Sequence, residues 1–259
     1  MDGLIHVPDS AMIESKPRNS VQTTHMMQMH RRQRQRRQSK SVLYLALAAV
    51  ILVLLAFFYF STQSHQAKPE ILYVNQGNGV VNESNFEAML TFASSHGFNT
   101  VFFQIYREGA LLFSSSELST FVNESHAHGQ KIFFALYITN STQTIPSTIL
   151  GLGQDGVSLD MSTLGLASQE SLLTNLKDSC RCLTAVTTTD MTSPLNPDLL
   201  ILETYSSNLQ QYIRPGVIGS VGVFATSSQE NYQSQFKYAL NNSDGVMVFD
   251  YAGLLKSRY

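Results

Sequence analysis

Three carboxylates, Asp160, Glu203 and Asp250, each close a short apolar run: Val-Ser-Leu, Leu-Ile-Leu and Met-Val-Phe. An acid placed directly after such a run is costly to desolvate unless it faces a cleft or a partner. Two carboxyl groups on either side of a glycosidic bond supply the acid and the base or nucleophile that its hydrolysis requires. The competing reading is structural: an acid in this position can pair with Arg107 or cap the helix that follows, and for any one of the three the two readings weigh the same. Other polar residues close neighbouring runs. Gln104, Tyr106, Arg107 and Glu108 follow the second, Tyr137 the third, Tyr205 the sixth and Tyr251 the eighth, which makes them candidate substrate contacts. The four tyrosines could stack on sugar faces, although packing at a sheet rim is the commoner use of each one singly. The chain has no Trp, which counts against an extended polysaccharide groove.

The elements that must carry these residues alternate. Apolar runs rich in β-branched and aromatic residues occupy 71–75, 100–106, 131–138, 156–160, 183–188, 199–205, 220–225 and 245–251. Segments with helical spacing lie at 84–95, 116–126, 169–179 and 229–240, most of them closed by a glycine-containing turn. Continuous apolar strands alternating with helices predict a parallel sheet covered on both sides. Eight such strands predict an α/β fold, a compact (β/α)8 TIM-like barrel over residues 70–259. Because the chain runs only nine residues past Asp250, this barrel is expected to lack a full last helix.

Ahead of that domain the composition changes. Up to residue 60 there are eight Lys/Arg against three Asp/Glu, a balance of +5; from residue 61 there are nine against sixteen, a balance of −7. Residues 42–60, VLYLALAAVILVLLAFFYF, contain no charge, Gly or Pro. As a helix they would span roughly 28 Å, close to the hydrocarbon thickness of a bilayer. A cleaved signal peptide would start nearer the N-terminus and end on small residues, so an uncleaved signal anchor is expected. Arg31, Arg32, Arg34, Arg36, Arg37 and Lys40 abut its N-terminal side and predict a cytoplasmic N-terminus. That basic run is read as a topology determinant with a possible affinity for anionic lipid, and not as a nucleic-acid site. Residues 1–41 are then a disordered tail, 61–69 a stalk, and 70–259 an extracytoplasmic domain. Asn-x-Ser/Thr sequons at Asn82, Asn123, Asn140 and Asn241 all fall beyond the apolar span and are candidate glycosylation sites.

Residues 97–115, GFNTVFFQIYREGALLFSS, resemble the second-strand segment of the glycoside-hydrolase-like barrel families, with its pattern g-n-t-v-f-x-Q-v-r-x-x-g-d-a-x-y-x-S. Residues 155–160, DGVSLD, resemble the fourth-strand motif of the same class and of chitinase-type barrels, and 244–251, DGVMVFDY, the last strand. The resemblance implies a sugar-active barrel with its site at these strand ends. In chitinase-type enzymes a catalytic Glu stands two residues after the final Asp of the fourth-strand motif. Here that position is Ser162, so the acid must come from elsewhere, and Glu203 is the best candidate.

His126 and His128 form a His-x-His that lacks further ligands at zinc-site spacing, and a polar helix end is the stronger reading; no metal is expected. Cys180 and Cys182, the only cysteines, would point to nearly opposite sides of a helix. They are therefore expected as structural thiols, or as an intermolecular bridge if exposed. No phosphate-cradling glycine loop or Gly-x-Ser-x-Gly elbow occurs, and no cofactor is expected. The reading that follows is a membrane-anchored glycoside hydrolase using Asp160 and Glu203, with a carbohydrate substrate. Its rivals are a non-catalytic barrel that binds glycans or a partner, and an anchor whose basic tail is the active part.

Overall fold

The computed structural model describes residues 47–55, 67–77, 81–190, 192–203, 211–223 and 229–257. Two units are distinguished, 1–66 and 67–259. Within the first, residues 47–55 form a helix, α1, whose Leu and Val side chains are exposed. The basic run, the ends of the predicted span, most of the stalk and Tyr205 lie outside the described residues. Among the described residues no helix is long and apolar enough to cross a membrane.

The second unit is built on nine strands: β1 Glu70–Val74, β2 Thr100–Arg107, β3 Ala110–Leu111, β4 Lys131–Tyr137, β5 Gly156–Asp160, β6 Leu183–Thr188, β7 Leu199–Glu203, β8 Ile218–Gly222 and β9 Gly245–Phe249. All but β3 are parallel. Each pairs with the next, and β1 pairs with both β2 and β9, so the eight parallel strands close into a barrel. The two-residue β3 is an antiparallel flap on β2. The eight expected strands are thus all present, in order.

The outer layer is thinner than the expected alternation. Helices α2 Phe86–Ser95, α3 Ser115–Ala127, α4 Leu166–Ser179 and α5 Gln229–Asn242 cover the barrel where helical spacing was strongest, and α6 Tyr251–Ser257 is a short last helix after β9. Between β4 and β5 only a 3-10 turn at Ser147–Ile149 stands in place of a helix, and between β6 and β7 no helix is found among the described residues. These thin connections, together with the short α6, account for a barrel of about 190 residues.

Side chains alternate between two cores. Ile71, Tyr73, Phe102, Phe133, Ala135, Ala185, Ile201, Ile218 and Met247 fill the barrel interior. Phe102 and Phe133 stack there at 4.7 Å, and a Cβ at Gly156 would run into the Phe133 ring, which is why a glycine opens β5. The outward faces pack on the helices, with Phe86 of α2 stacked on Phe121 of α3 at 4.3 Å and edge-on to Phe103 of β2 at 5.1 Å.

At the barrel base, the residue just before several strands accepts an N–H from its neighbour. Asn99 Oδ1 accepts from Glu70 N at 3.1 Å, and Asp155 Oδ2 from Ile132 N at 2.9 Å. Asp198 Oδ2 accepts from Thr184 N at 2.7 Å, and Asp244 Oδ2 from Gly216 N at 3.1 Å. The two Asp-Gly pairs of the resembling motifs therefore begin their strands with a latch.

One expectation is overturned. Cys180 and Cys182 are joined by a disulfide, with Cα atoms 5.3 Å apart. The helical geometry that argued against it does not apply, because α4 ends at Ser179 and Cys180 is already extended (φ −114°, ψ 133°).

Candidate active site

Paired residues of a parallel sheet share a face, so register shows which polar side chains enter the barrel. Ser158 pairs with the interior residues Ala135 and Ala185, which puts Asp160, two residues on, on the inner face at the strand's carboxyl end. Asp160 in turn pairs with Tyr137 of β4 and Thr187 of β6. Ile201 is interior, so Glu203 at the end of β7 is too, opposite Ser220 of β8. Asp250 follows β9 at the same end.

Tyr73 of β1 ties these acids together. It is buried in the interior, and its hydroxyl is pushed well above the ordinary phenol range, first by desolvation and then by the negative fields of Asp160, Glu203 and Asp250, with Tyr137 adding to them. One side chain therefore lies in the fields of all three strand-end acids, of which register puts Asp160 and Glu203 on the inner face at the barrel mouth. Sequence reasoning passed over Tyr73 because Ile-Leu-Tyr-Val reads as plain strand, and its inward face follows only from its register with Phe102.

The acids differ in their surroundings. Burial raises the Asp160 carboxyl, and the Ser162 amide and hydroxyl oppose the rise, the hydroxyl through a long 3.4 Å hydrogen bond to Oδ1. Thus the position held by a Glu in chitinase-type motifs carries a side chain that donates to the acid it follows. Asp250 is also raised by burial, but its Oδ1 accepts from Gly253 N at 2.9 Å at the start of α6, and Lys256 lowers it further. Asp250 fits the capping role. Glu203 is half-buried. Thr187 stands level with Asp160, Ser220 level with Glu203, and Ser158 one layer below Asp160; among the described residues their buried hydroxyls have no hydrogen-bond partner. They were not singled out from sequence, although each stands on the inner face of a strand that ends in the mouth.

The remaining candidates divide. Gln104 is inward and buried, and its Oε1 accepts from Gln76 N at 2.9 Å, so it fixes the loop after β1. Tyr137 is half-buried beside Asp160. Arg107 pairs with Glu108 at 3.3 Å on the rim, and a Cβ at Gly77 would strike its guanidinium, so it lies over the β1 loop. Tyr106 and Tyr251 correct the expectation of sugar platforms: both are buried in the outer core, Tyr251 edge-on to Phe92 at 5.2 Å. A register shift between Gln104 and Tyr106 explains the first; the second belongs to α6 and faces α2 rather than the mouth.

Asn82, Asn123, Asn140 and Asn241 are all exposed. His126 Nε2 lies 2.9 Å from Asp155 Oδ2, and His128 Nδ1 lies 3.0 Å from Glu124 O, in keeping with the structural reading of both. A cavity of about 730 Å3 lies away from the mouth, on the flank between α4 and the β4–β5 connection, where the helix is missing; Ser141, Thr144, Ser168, Ser171 and Asn175 are among its lining.

No family model matches the sequence, and no curated protein matches it. Solved structures do. A GH113 β-1,4-mannanase superposes with a TM-score of 0.53 at 10% identity, over 71% of this chain and 88% of that one. A protein described as a dihydrodipicolinate synthetase of Pseudomonas aeruginosa gives 0.49 at 11%, over 73% and 72%. The GH18 chitinase ChiB of Flavobacterium johnsoniae gives 0.47 at 11%, over 72% and 88%. At 10% identity the likeness to the mannanase shows the fold alone, a TIM-like barrel.

Proposed function

We propose that this protein is a membrane-anchored barrel acting on extracytoplasmic glycans, with Asp160, in place of the Glu203 expected from the motif, as proton donor to the leaving oxygen and Glu203 as base or nucleophile. The observation that carries the reading is the register that puts Asp160 of β5 and Glu203 of β7 on the inner face at the same end of the barrel, where both fields act on the buried Tyr73. Asp160 suits the acid because burial keeps its proton on at higher pH than an ordinary carboxyl, as a general acid requires. Glu203 takes the second role because register puts it on the inner face at the end of β7. Tyr137 and Gln104 line or support the same mouth. The anchor is residues 42–60 with the N-terminus cytoplasmic, supported by the basic run before them, whose Arg and Lys side chains would also meet anionic headgroups. Exposed Asn82, Asn123, Asn140 and Asn241 as glycan acceptors and a disulfide in the barrel fit the non-cytoplasmic side.

The test is a glycan-hydrolysis screen of the full chain in detergent beside Asp160→Asn and Glu203→Gln. Each substitution is expected to lower turnover by about 10²-fold or more. Equal rates in all three proteins would overturn the assignment. One observation favours a second reading, a non-catalytic glycan-binding barrel: Ser162 stands where chitinase-type motifs place their acid. Saturable glycan binding without turnover would select it.

A further inference from the structure

The chain's only two cysteines form a disulfide across a single intervening residue, Arg181, at the junction of α4 and β6. A bridge closing so short a loop removes little conformational freedom from the unfolded chain, since that contribution grows with loop length. Nor does the junction need it. Cys180 N already donates to Leu176 O at 2.8 Å and Leu183 N to Asp155 O at 3.0 Å, while β6 is registered on β5 from Leu183 onward. Both sulfur-bearing residues are half-buried against the outer core and Arg181 is exposed, so the pair is within reach of solvent while its surroundings stay packed. It lies at the amino end of β6, at the base of the barrel, away from Asp160 and Glu203.

We propose that Cys180–Cys182 is an exchangeable disulfide that accepts two electrons from external thiols. A thiolate attacks one sulfur, forming a mixed disulfide as the Cys180–Cys182 bond breaks and the other cysteine departs as thiolate. A second external thiolate then attacks the mixed disulfide, leaving as the oxidised external pair, and the two cysteines take up the two protons. The barrel persists through the cycle because the hydrogen bonds and sheet register at the junction do not involve sulfur. This activity is independent of the glycan reading.

The test treats the folded full chain in detergent with millimolar reduced glutathione and traps free thiols with a maleimide-coupled polymer. Two additions per chain are expected, with the urea midpoint of the barrel unchanged. The Cys182→Ser variant, given oxidised glutathione, should gain one glutathione at Cys180 by mass. Thiols that become reactive only in denaturant, or a barrel that unfolds on reduction, would overturn the proposal and leave a structural bridge.

Discussion

At the base of the barrel Asp155, Asp198 and Asp244 each accept a main-chain N–H from the neighbouring strand or its approach, whereas at the mouth Asp160 and Asp250, which accept within their own segments from Ser162 and Gly253, are raised by burial from their ordinary value. The same residue type serves opposite ends of parallel strands under opposite physical rules. Asp198 shows the base rule. Burial would push it up, but donations from Thr184 N and Oγ1, with Lys177 nearby, bring it below its ordinary value. A carboxylate given donors stabilises the fold. One given burial without enough donors stores an unfavourable charge that chemistry can use. Position along a strand and the donors it offers, more than residue type, decide what an acid does here.

Asp160→Asn should cut glycan turnover by about 10²-fold or more while leaving urea stability equal or higher, because it removes a poorly solvated charge. Asp155→Ala should do the reverse. It leaves the buried Ile132 N–H without its acceptor, at a cost of about 2 kcal/mol in urea unfolding, and keeps turnover per folded molecule. Loss of activity in both would erase the distinction between the two ends.

Acidity should separate the ends by sign. Asp160 and Asp250 titrate above 3.8 in the folded chain, so the native state holds protons that the unfolded chain has released. Their contribution therefore falls as pH rises from 3.8 through the folded values, and the full penalty stands above them. Asp198 titrates below 3.8 when folded, so its contribution is present above that value and lost as pH falls through the folded one. Urea unfolding across this range should show Asp160→Asn abolishing part of the first slope and Asp198→Asn part of the second. The smallest effect belongs to His126. Its contact with Asp155 is largely solvated, with side chains 44% and 28% exposed, so His126→Gln should cost less than about 1 kcal/mol.

Strand-rich segments were legible because a closed parallel barrel writes itself as near-continuous apolar runs, and Asp160, Glu203 and Asp250 were legible because each interrupts such a run at its end. Tyr73 was not, since an aromatic inside an apolar run carries no mark of which face it takes until register is known. Tyr106 was misplaced for a related reason. Periodicity assumes unbroken alternation, and β2 shifts register between Gln104 and Tyr106. The Cys180–Cys182 bridge was missed because helical geometry was applied to two residues that lie beyond the helix end at Ser179.

Barrel closure through β1 has a consequence for how the molecule is made. Glu70 pairs with Val246 and Ile71 with Met247, partners more than 170 positions apart in sequence. During translation the first strand leaves the ribosome with one side unmatched and stays so until residues 245–249 have been synthesised. Such distant partners slow the search for the native state, so closure of the barrel waits on the last strand.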